Sequence, residues 1–452
     1  MIESKPGYSP SLLPAMRRLF CLTAAALGLV AGDAARAQSY GFTTAAGVAG
    51  TGGSTDGTNS LALFREPGGV AVDAAGNIYI ADTANHVIRK ATPLGNSWAV
   101  TTIAGEAGAS GTKDGTNNGA RFFFPYGIAV DGQANLYVAD TYNNTIRKIT
   151  PMGTNWVVTT FAGTAGSHGS SDGAGYSAGF YLPYGVAADS LGNVVVADTY
   201  NHTIRLLVPV GTNCMVTTLA GAAGTNGMAD GSNSVARFDS PGGVALTAGT
   251  NIYVADTYNH TVRRVTPVGT NWVVSTLAGF ADFFGGFADG TNSAAQFDFP
   301  FGLAVDASTN IYVADTDNEA IRKISPVGTN WVVGTIGGLG TVSGASDGVG
   351  TAARFASPQG VSVDPLGNLY IADTSNNTLR FGRLGFALQA SLIGGQLVLS
   401  WPITATNYVL QTKSPLTSVS WTPITTGIFV VGTNYVKTNS VPGPSAYYRL
   451  RK

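Results

Sequence analysis

Six aspartates occupy one repeated setting: Asp82, Asp140, Asp198, Asp256, Asp315 and Asp373 each stand inside the tripeptide Ala-Asp-Thr. Carboxylates serve as general acids, general bases and metal ligands, so a ring of six is the first chemistry to weigh. Seven residues after each comes an arginine: Arg89, Arg147, Arg205, Arg263, Arg322 and Arg380. An Asp ending one strand faces an Arg on the next across a hairpin, and a partly buried pair of this kind is bidentate and orienting. A single active site has no use for six equivalent acids. The aspartates therefore read as scaffold, and function is to be sought where the copies differ.

Three histidines, His86, His202 and His260, share the slot four residues after the Asp. Three imidazoles invite zinc, which needs its ligands within about 2.1 Å of one ion. Copies of one slot lie on a circle, away from the axis, and are too far apart for that. Asn144 and Asn377 fill the slot elsewhere, which reads as a turn position tolerant of polar groups. The repeated Asp-Gly pairs, at Asp56, Asp114, Asp172, Asp230, Asp289 and Asp347, read as turn chemistry. They lack the alternating ligands closed by Glu that a calcium loop supplies. No Ser-His-Asp arrangement or phosphate-binding glycine loop is found. The expectation is no cofactor, with calcium the ion left open.

Variation concentrates in two columns. After a repeated proline come Gly68, Tyr126, Tyr184, Gly242, Phe301 and Gln359; two residues after the Asp come Ala84, Tyr142, Tyr200, Tyr258, Asp317 and Ser375. The ligand-binding candidates are Tyr126, Tyr184, Phe301, Gln359, Tyr142, Tyr200 and Tyr258. Aromatics at a mouth can stack on sugar rings or peptide side chains. They can equally pack beneath neighbouring loops, since Tyr is often intermediate in burial. Both readings stand.

The elements that position these residues follow from the spacing. The aspartates recur about every 58 residues, with one extra residue between the fourth and fifth. In the second copy, Ile128 to Asp131, Leu136 to Asp140, Thr145 to Ile149 and Trp156 to Phe161 read as strands separated by Gly, Asn, Asp or Pro turns. Four antiparallel strands repeated radially make a β-propeller blade. Alanines or Ser362 on the first strands suit a crowded axis. The sixth copy lacks a fourth strand, and Tyr40 to Gly47 matches the missing pattern. The fold class is thus all-β: a six-bladed propeller closed by its N-terminal strand. A loop of roughly twenty residues joins each fourth strand to the next blade, where binding residues usually sit.

The motif Pro-x-Gly-Val-Ala-Val-Asp, Gly-Asn-Ile-Tyr-Val-Ala-Asp-Thr, Asn-x-x-Ile-Arg-Lys, seen at Pro67 to Asp73, Gly76 to Thr83 and Asn85 to Lys90, resembles the NHL repeat over residues 40 to 384. The resemblance implies six blades and a family with divergent functions: RNA or protein binding, sensing, and related propellers with lactonase or lyase activity. Amidating lyases place metal-binding histidines after a repeat proline, where this chain has none. Lactonase-type propellers need Glu, Asn and Asp on an axial calcium, yet of Glu66, Glu106 and Glu319 only Glu66 adjoins a repeat proline.

Met16-Arg17-Arg18, an apolar run from Leu19 to Val30, and Ala35-Arg36-Ala37 follow the order of a secretory signal. Residues 1–37 are expected to be that signal, with Met16 a possible true start and the mature protein secreted. The apolar run is too short to span a bilayer. Cys21 lies in the signal, leaving Cys214 alone and no intrachain disulfide. A net charge of −1 gives no reason to expect nucleic acid as partner. After Leu384 the repeat stops, and residues 385–452 read as a small β-sandwich-like module around Trp401 and Trp421. The function expected is non-enzymatic binding of a protein, peptide or glycan, and the alternative is a lactonase-like hydrolase or lyase with an axial metal.

Overall fold

The computed structural model describes residues 39–452 apart from 212, 248–250, 282–283, 386–388, 394–395, 403–408, 414–419, 432–433, 441–446 and 452. The expected secretory signal therefore lies outside the described residues. The chain is all-β, and its only helical pieces among the described residues are three-residue 3-10 turns.

Among the described residues there are six five-stranded antiparallel sheets. In the second, Pro125–Val130, Leu136–Asp140, Thr145–Met152 and Asn155–Ala162 run from inside to outside, and Gly115–Thr116 adds an outermost strand. The expectation of four strands per blade thus falls one short. The fifth is two residues long and comes from the loop that carries Asp-Gly, too brief for an alternation to mark it. Tyr40–Gly47 pairs antiparallel with Thr378–Leu384, Tyr40 opposite Leu384, and its outer edge takes Gly348–Val349. The chain enters and leaves these sheets at one place: the Gly385 N–H donates to the Ser39 carbonyl at 2.8 Å.

The inner strands neighbour one another in a closed cycle. A Cβ on Gly69 would overlap the carbonyl oxygen of Tyr126, one on Gly127 that of Tyr184, and so on round to Gly360 and Gly68. Glycine is required there because the backbones themselves are in contact. The apolar core is divided accordingly into layers, each shared by two adjacent blades. Each layer holds one phenylalanine of a repeated column, fully buried: Phe64, Phe122, Phe180, Phe238, Phe297 or Phe355; the layer around Phe355 also buries Phe42.

The Ala-Asp-Thr tripeptides tie these layers together. Asp140 is wholly buried; its Oδ1 accepts the Phe123 N–H, and its Oδ2 accepts Asn143 Nδ2 and Arg147 Nη1 at 2.8 and 2.7 Å. The pair is fully buried and shares one guanidinium nitrogen only, which corrects the bidentate expectation. The other nitrogen, Arg147 Nη2, reaches Asp114 Oδ1 at 2.7 Å. The Asp-Gly aspartate is therefore the arginine's outer clamp and no mere turn residue; Asp114 also accepts Thr160 N–H and Oγ1–H. The guanidinium rests on the Phe122 ring at 5.1 Å. The same arrangement holds in every copy, with inner ion pairs of 2.5–2.8 Å. The threonine crosses to the next blade: Thr141 Oγ1 donates to the Pro183 carbonyl at 2.8 Å, and Thr374 to Pro67 closes the cycle.

The C-terminal strands form a four-stranded and a three-stranded sheet. Leu399, Trp401 and Leu410 are their buried centre. Trp421, expected in that core, is half-buried instead and carries Lys413 Nζ over its ring at 5.7 Å. Gly394-Gly395, which the sequence marks as a turn between two strands, lies outside the described residues.

Candidate functional site

Each repeated proline is preceded by a residue of positive φ: Glu66, Phe124, Leu182, Ser240, Phe299 and Ser357, all between 43° and 50°. A residue before proline ordinarily takes an extended conformation, so something must hold these six. The side chain four residues after the preceding blade's Asp does so. His86 Nδ1 accepts the Phe124 N–H at 3.2 Å, Asn144 Oδ1 the Leu182 N–H at 2.8 Å, and Glu319 Oε2 the Ser357 N–H. The pattern continues through His202, His260 and Asn377. The histidine slot is thus an obligatory acceptor between blades, a stricter role than tolerance of polar groups. Burial holds the His86 and His202 imidazoles below their ordinary range, as an acceptor nitrogen requires.

These staples throw the pre-proline side chains onto the mouth, beside the two variable columns. There the candidates divide. Tyr126, Tyr184 and Phe301 pack on one another, with ring centres 4.8–5.6 Å apart. Glycines make room: a Cβ on Gly68 would meet the Tyr126 ring at 3.0 Å, and one on Gly242 the Phe301 ring at 2.9 Å. The Tyr126 hydroxyl donates to Gln359 Oε1. Burial pushes the Tyr184 hydroxyl up to about 12 and raises that of Tyr126 as well, so both remain donors. The inner column therefore closes over the axis as an aromatic plug. Nothing in that column is a carboxylate or imidazole.

Beside the plug opens a cleft of about 620 Å³. Tyr126, Tyr184 and Gln359 form its inner wall; Tyr142, Phe124, Glu66, Arg65, Ser357 and Ser375 line the rest, together with Gly52, Asn377 and the repeat threonines Thr83 and Thr374. Tyr142 is 48% exposed and leans on Phe124 with ring centres 4.9 Å apart. Tyr200 and Tyr258 lie outside this cleft; they are similarly exposed and rest on Tyr181 and Phe299. Phe301 lines the narrower axial space behind. Glu66, Phe124 and Ser357 were not among the candidates. Their signal was the same irregularity one position earlier, masked because a residue before proline is not expected to point inward. No group of three or more His, Cys, Asp or Glu poised to hold a metal occurs among the described residues.

The NHL repeat matches residues 64–90, 180–205, 238–265 and 355–380. The chain is an NHL-repeat protein. NHL repeat-containing protein 2 of Gallus gallus is 30% identical over 344 residues, covering 70% of this chain and 46% of that protein. The chain spans 30 to 46% of the length of the curated relatives it matches. A Bacteroides thetaiotaomicron structural genomics protein of unknown function superposes with a TM-score of 0.58 at 19% identity, over 77% of this chain and 76% of that one. An auxiliary nutrient binding protein from the same organism gives 0.56 at 16% identity, covering 76% of each chain. At such identities the NHL propeller shares a fold with these structures and no more.

Proposed function

We propose that this chain is a non-enzymatic binding protein whose six-bladed NHL propeller, residues 38–384, takes a protein, peptide or glycan ligand in the mouth cleft. Residues 1–37 are a secretory signal in this reading, and 385–452 a separate small β-module. The observation that carries it is where sameness ends. The buried Asp, Arg, Thr and Asn positions repeat in every blade and are consumed by the scaffold. The cleft is lined mainly by positions that do not repeat, with the scaffold threonines Thr83 and Thr374 also on its wall, and combines an exposed ring, Tyr142, with hydroxyl, amide and charged groups. A concave site with a few placed polar groups is the usual form of a ligand pocket. One structurally similar protein is described as an auxiliary nutrient binding protein, a role in keeping with this one. The lactonase-like alternative draws no support from the aromatic plug, which fills the positions an axial metal would need.

Glycan and peptide arrays with the purified full chain test this. Hits are expected, and Tyr142→Ala should weaken them by about tenfold or more, as for a central aromatic anchor. Stoichiometric calcium or zinc in the purified protein, or hits indifferent to Tyr142→Ala, would overturn it.

A further inference from the structure

Five repeat columns face the mouth: the two residues before each proline, the one after it, and those two and four after each Asp. They hold five carboxylates, Glu66, Asp239, Asp298, Asp317 and Glu319, and one guanidinium, Arg65. Across the whole chain 26 acids face 25 bases, so this concentration belongs to the face and not to the composition. His86 and His202 add no fixed charge, because burial holds each below its ordinary range and Nδ1 serves as an acceptor; His260 Nδ1 faces Asp298 Oδ1 at 3.4 Å. A face of one sign attracts ligands of the other.

Within the cleft the negative charge has a defined place. Glu66 is exposed, and its backbone is held at φ 48° by the bond from its N–H to Asn377 Oδ1. Among the described residues its carboxylate makes no hydrogen bond or ion pair. Four of the residues that share the cleft with it carry rings, Phe124, Tyr126, Tyr142 and Tyr184, and most of the others are polar. Burial, then Tyr184, then the Glu66 carboxylate push the Tyr126 hydroxyl up, which puts that carboxylate within electrostatic reach of the ring group. Aromatic faces attract cations through the ring quadrupole, most strongly where water is displaced. A carboxylate beside several rings is the arrangement that recognises an ammonium group. Among the described residues Arg65, against Gly52, is the one guanidinium lining the cleft and Glu66 the one carboxylate; Arg65 disfavours a cationic occupant, but across the mouth columns the five acids outnumber it.

Resting on the binding role above, we propose that the cleft recognises an ammonium group, held by the Glu66 carboxylate against the Tyr126 and Tyr142 rings. Two sources supply that chemistry, a lysine side chain of a peptide and the free amine of a deacetylated aminosugar.

Titration calorimetry on the full chain distinguishes them. The probes are a capped lysine peptide and a chitosan oligomer; the controls are the matching glutamate peptide and the N-acetylated oligomer. At least one amine probe should bind more tightly than its control, and which one names the source. Glu66→Gln, which keeps size and backbone bond, should weaken that binding about tenfold, the worth of a charge-assisted contact. Tetramethylammonium chloride should displace the bound probe from the unsubstituted protein, a readout independent of how the variant folds. Arg65→Ala, which removes the cleft's opposing charge, should tighten binding of the amine probe. The proposal fails if neither amine probe binds, if Glu66→Gln with an unchanged melting temperature binds equally well, or if Arg65→Ala abolishes binding. Array hits lost in Tyr142→Ala but unaffected by Glu66→Gln would keep the binding role and remove the ammonium.

Discussion

Arg147 holds two aspartates at the same distance, Asp140 and Asp114, each 2.7 Å from one of its terminal nitrogens. Geometry alone would rank them as equals. Exposure does not: the Asp140 side chain is 0% accessible and that of Asp114 42%. Asp140→Ala strips an acceptor from the Phe123 N–H, Asn143 Nδ2 and Arg147 Nη1, where water cannot replace it. Removing one partner of a buried pair costs about 3–5 kcal/mol. Asp114→Ala also removes several bonds, to Arg147 and to Thr160, but at a site water reaches. An exposed pair is worth about 0–1 kcal/mol, and Arg147 Nη2 keeps the Lys113 carbonyl at 3.2 Å. Urea unfolding of the two single variants, with slopes checked for constancy, should therefore show Asp140→Ala losing at least about three times as much stability. Equal losses, or a greater loss for Asp114→Ala, would refute the argument that burial, and not distance, sets the worth of these bonds.

Two glycines should respond oppositely to alanine. Gly127→Ala drives a methyl into the Tyr184 carbonyl and should lower stability by about 1–3 kcal/mol or more, as overpacking does; Gly334, in an outer strand, has nothing within 4 Å of a new Cβ, and its substitution should be neutral or raise stability by about 0.5–1 kcal/mol. Differential scanning fluorimetry reads both. The His86 imidazole is held by burial below its ordinary value of 6.5, so the unfolded chain binds that proton more readily. Its contribution to stability is full above that value and is lost as pH falls through the lower folded value. His86→Asn, with the side chain that serves the same slot at Asn144, should flatten the loss of stability between about pH 7 and about pH 5 relative to the unsubstituted chain. Superimposable pH profiles would show that Nδ1 carries no such burden.

Much of the architecture was legible because the repeat converts a fold into a period. Asp140 and Arg147 are seven residues apart on one hairpin, so their meeting could be read from spacing. Asp114 precedes Arg147 by 33 residues, across a loop whose path no local pattern reveals, and its role as outer clamp was invisible. The threonine of Ala-Asp-Thr was seen six times without its reason, because its partner belongs to the neighbouring blade. For the mouth, the columns of variation were legible but not their grouping. Tyr126 leans over Gly68, and of two tyrosines in one column Tyr142 lines the cleft while Tyr200 rests on Tyr181 outside it. The sequence marks Glu66 only as adjoining a repeat proline, and Phe124 not as a candidate, because a staple from the previous blade overrides the ordinary preference of a residue before proline.

The pairing of Tyr40–Gly47 with Thr378–Leu384 has a mechanical consequence. Tyr40 lies opposite Leu384, so the chain ends leading from this pair depart from the same edge of the sheet. A pull applied through those two ends loads its rungs singly, the outermost first, as a zip is opened, and does not spread the load along the strands as shear would. The seam that completes the ring is thus its point of least resistance to tension, while the other blades, whose four longest strands are continuous in sequence, are not loaded until it parts.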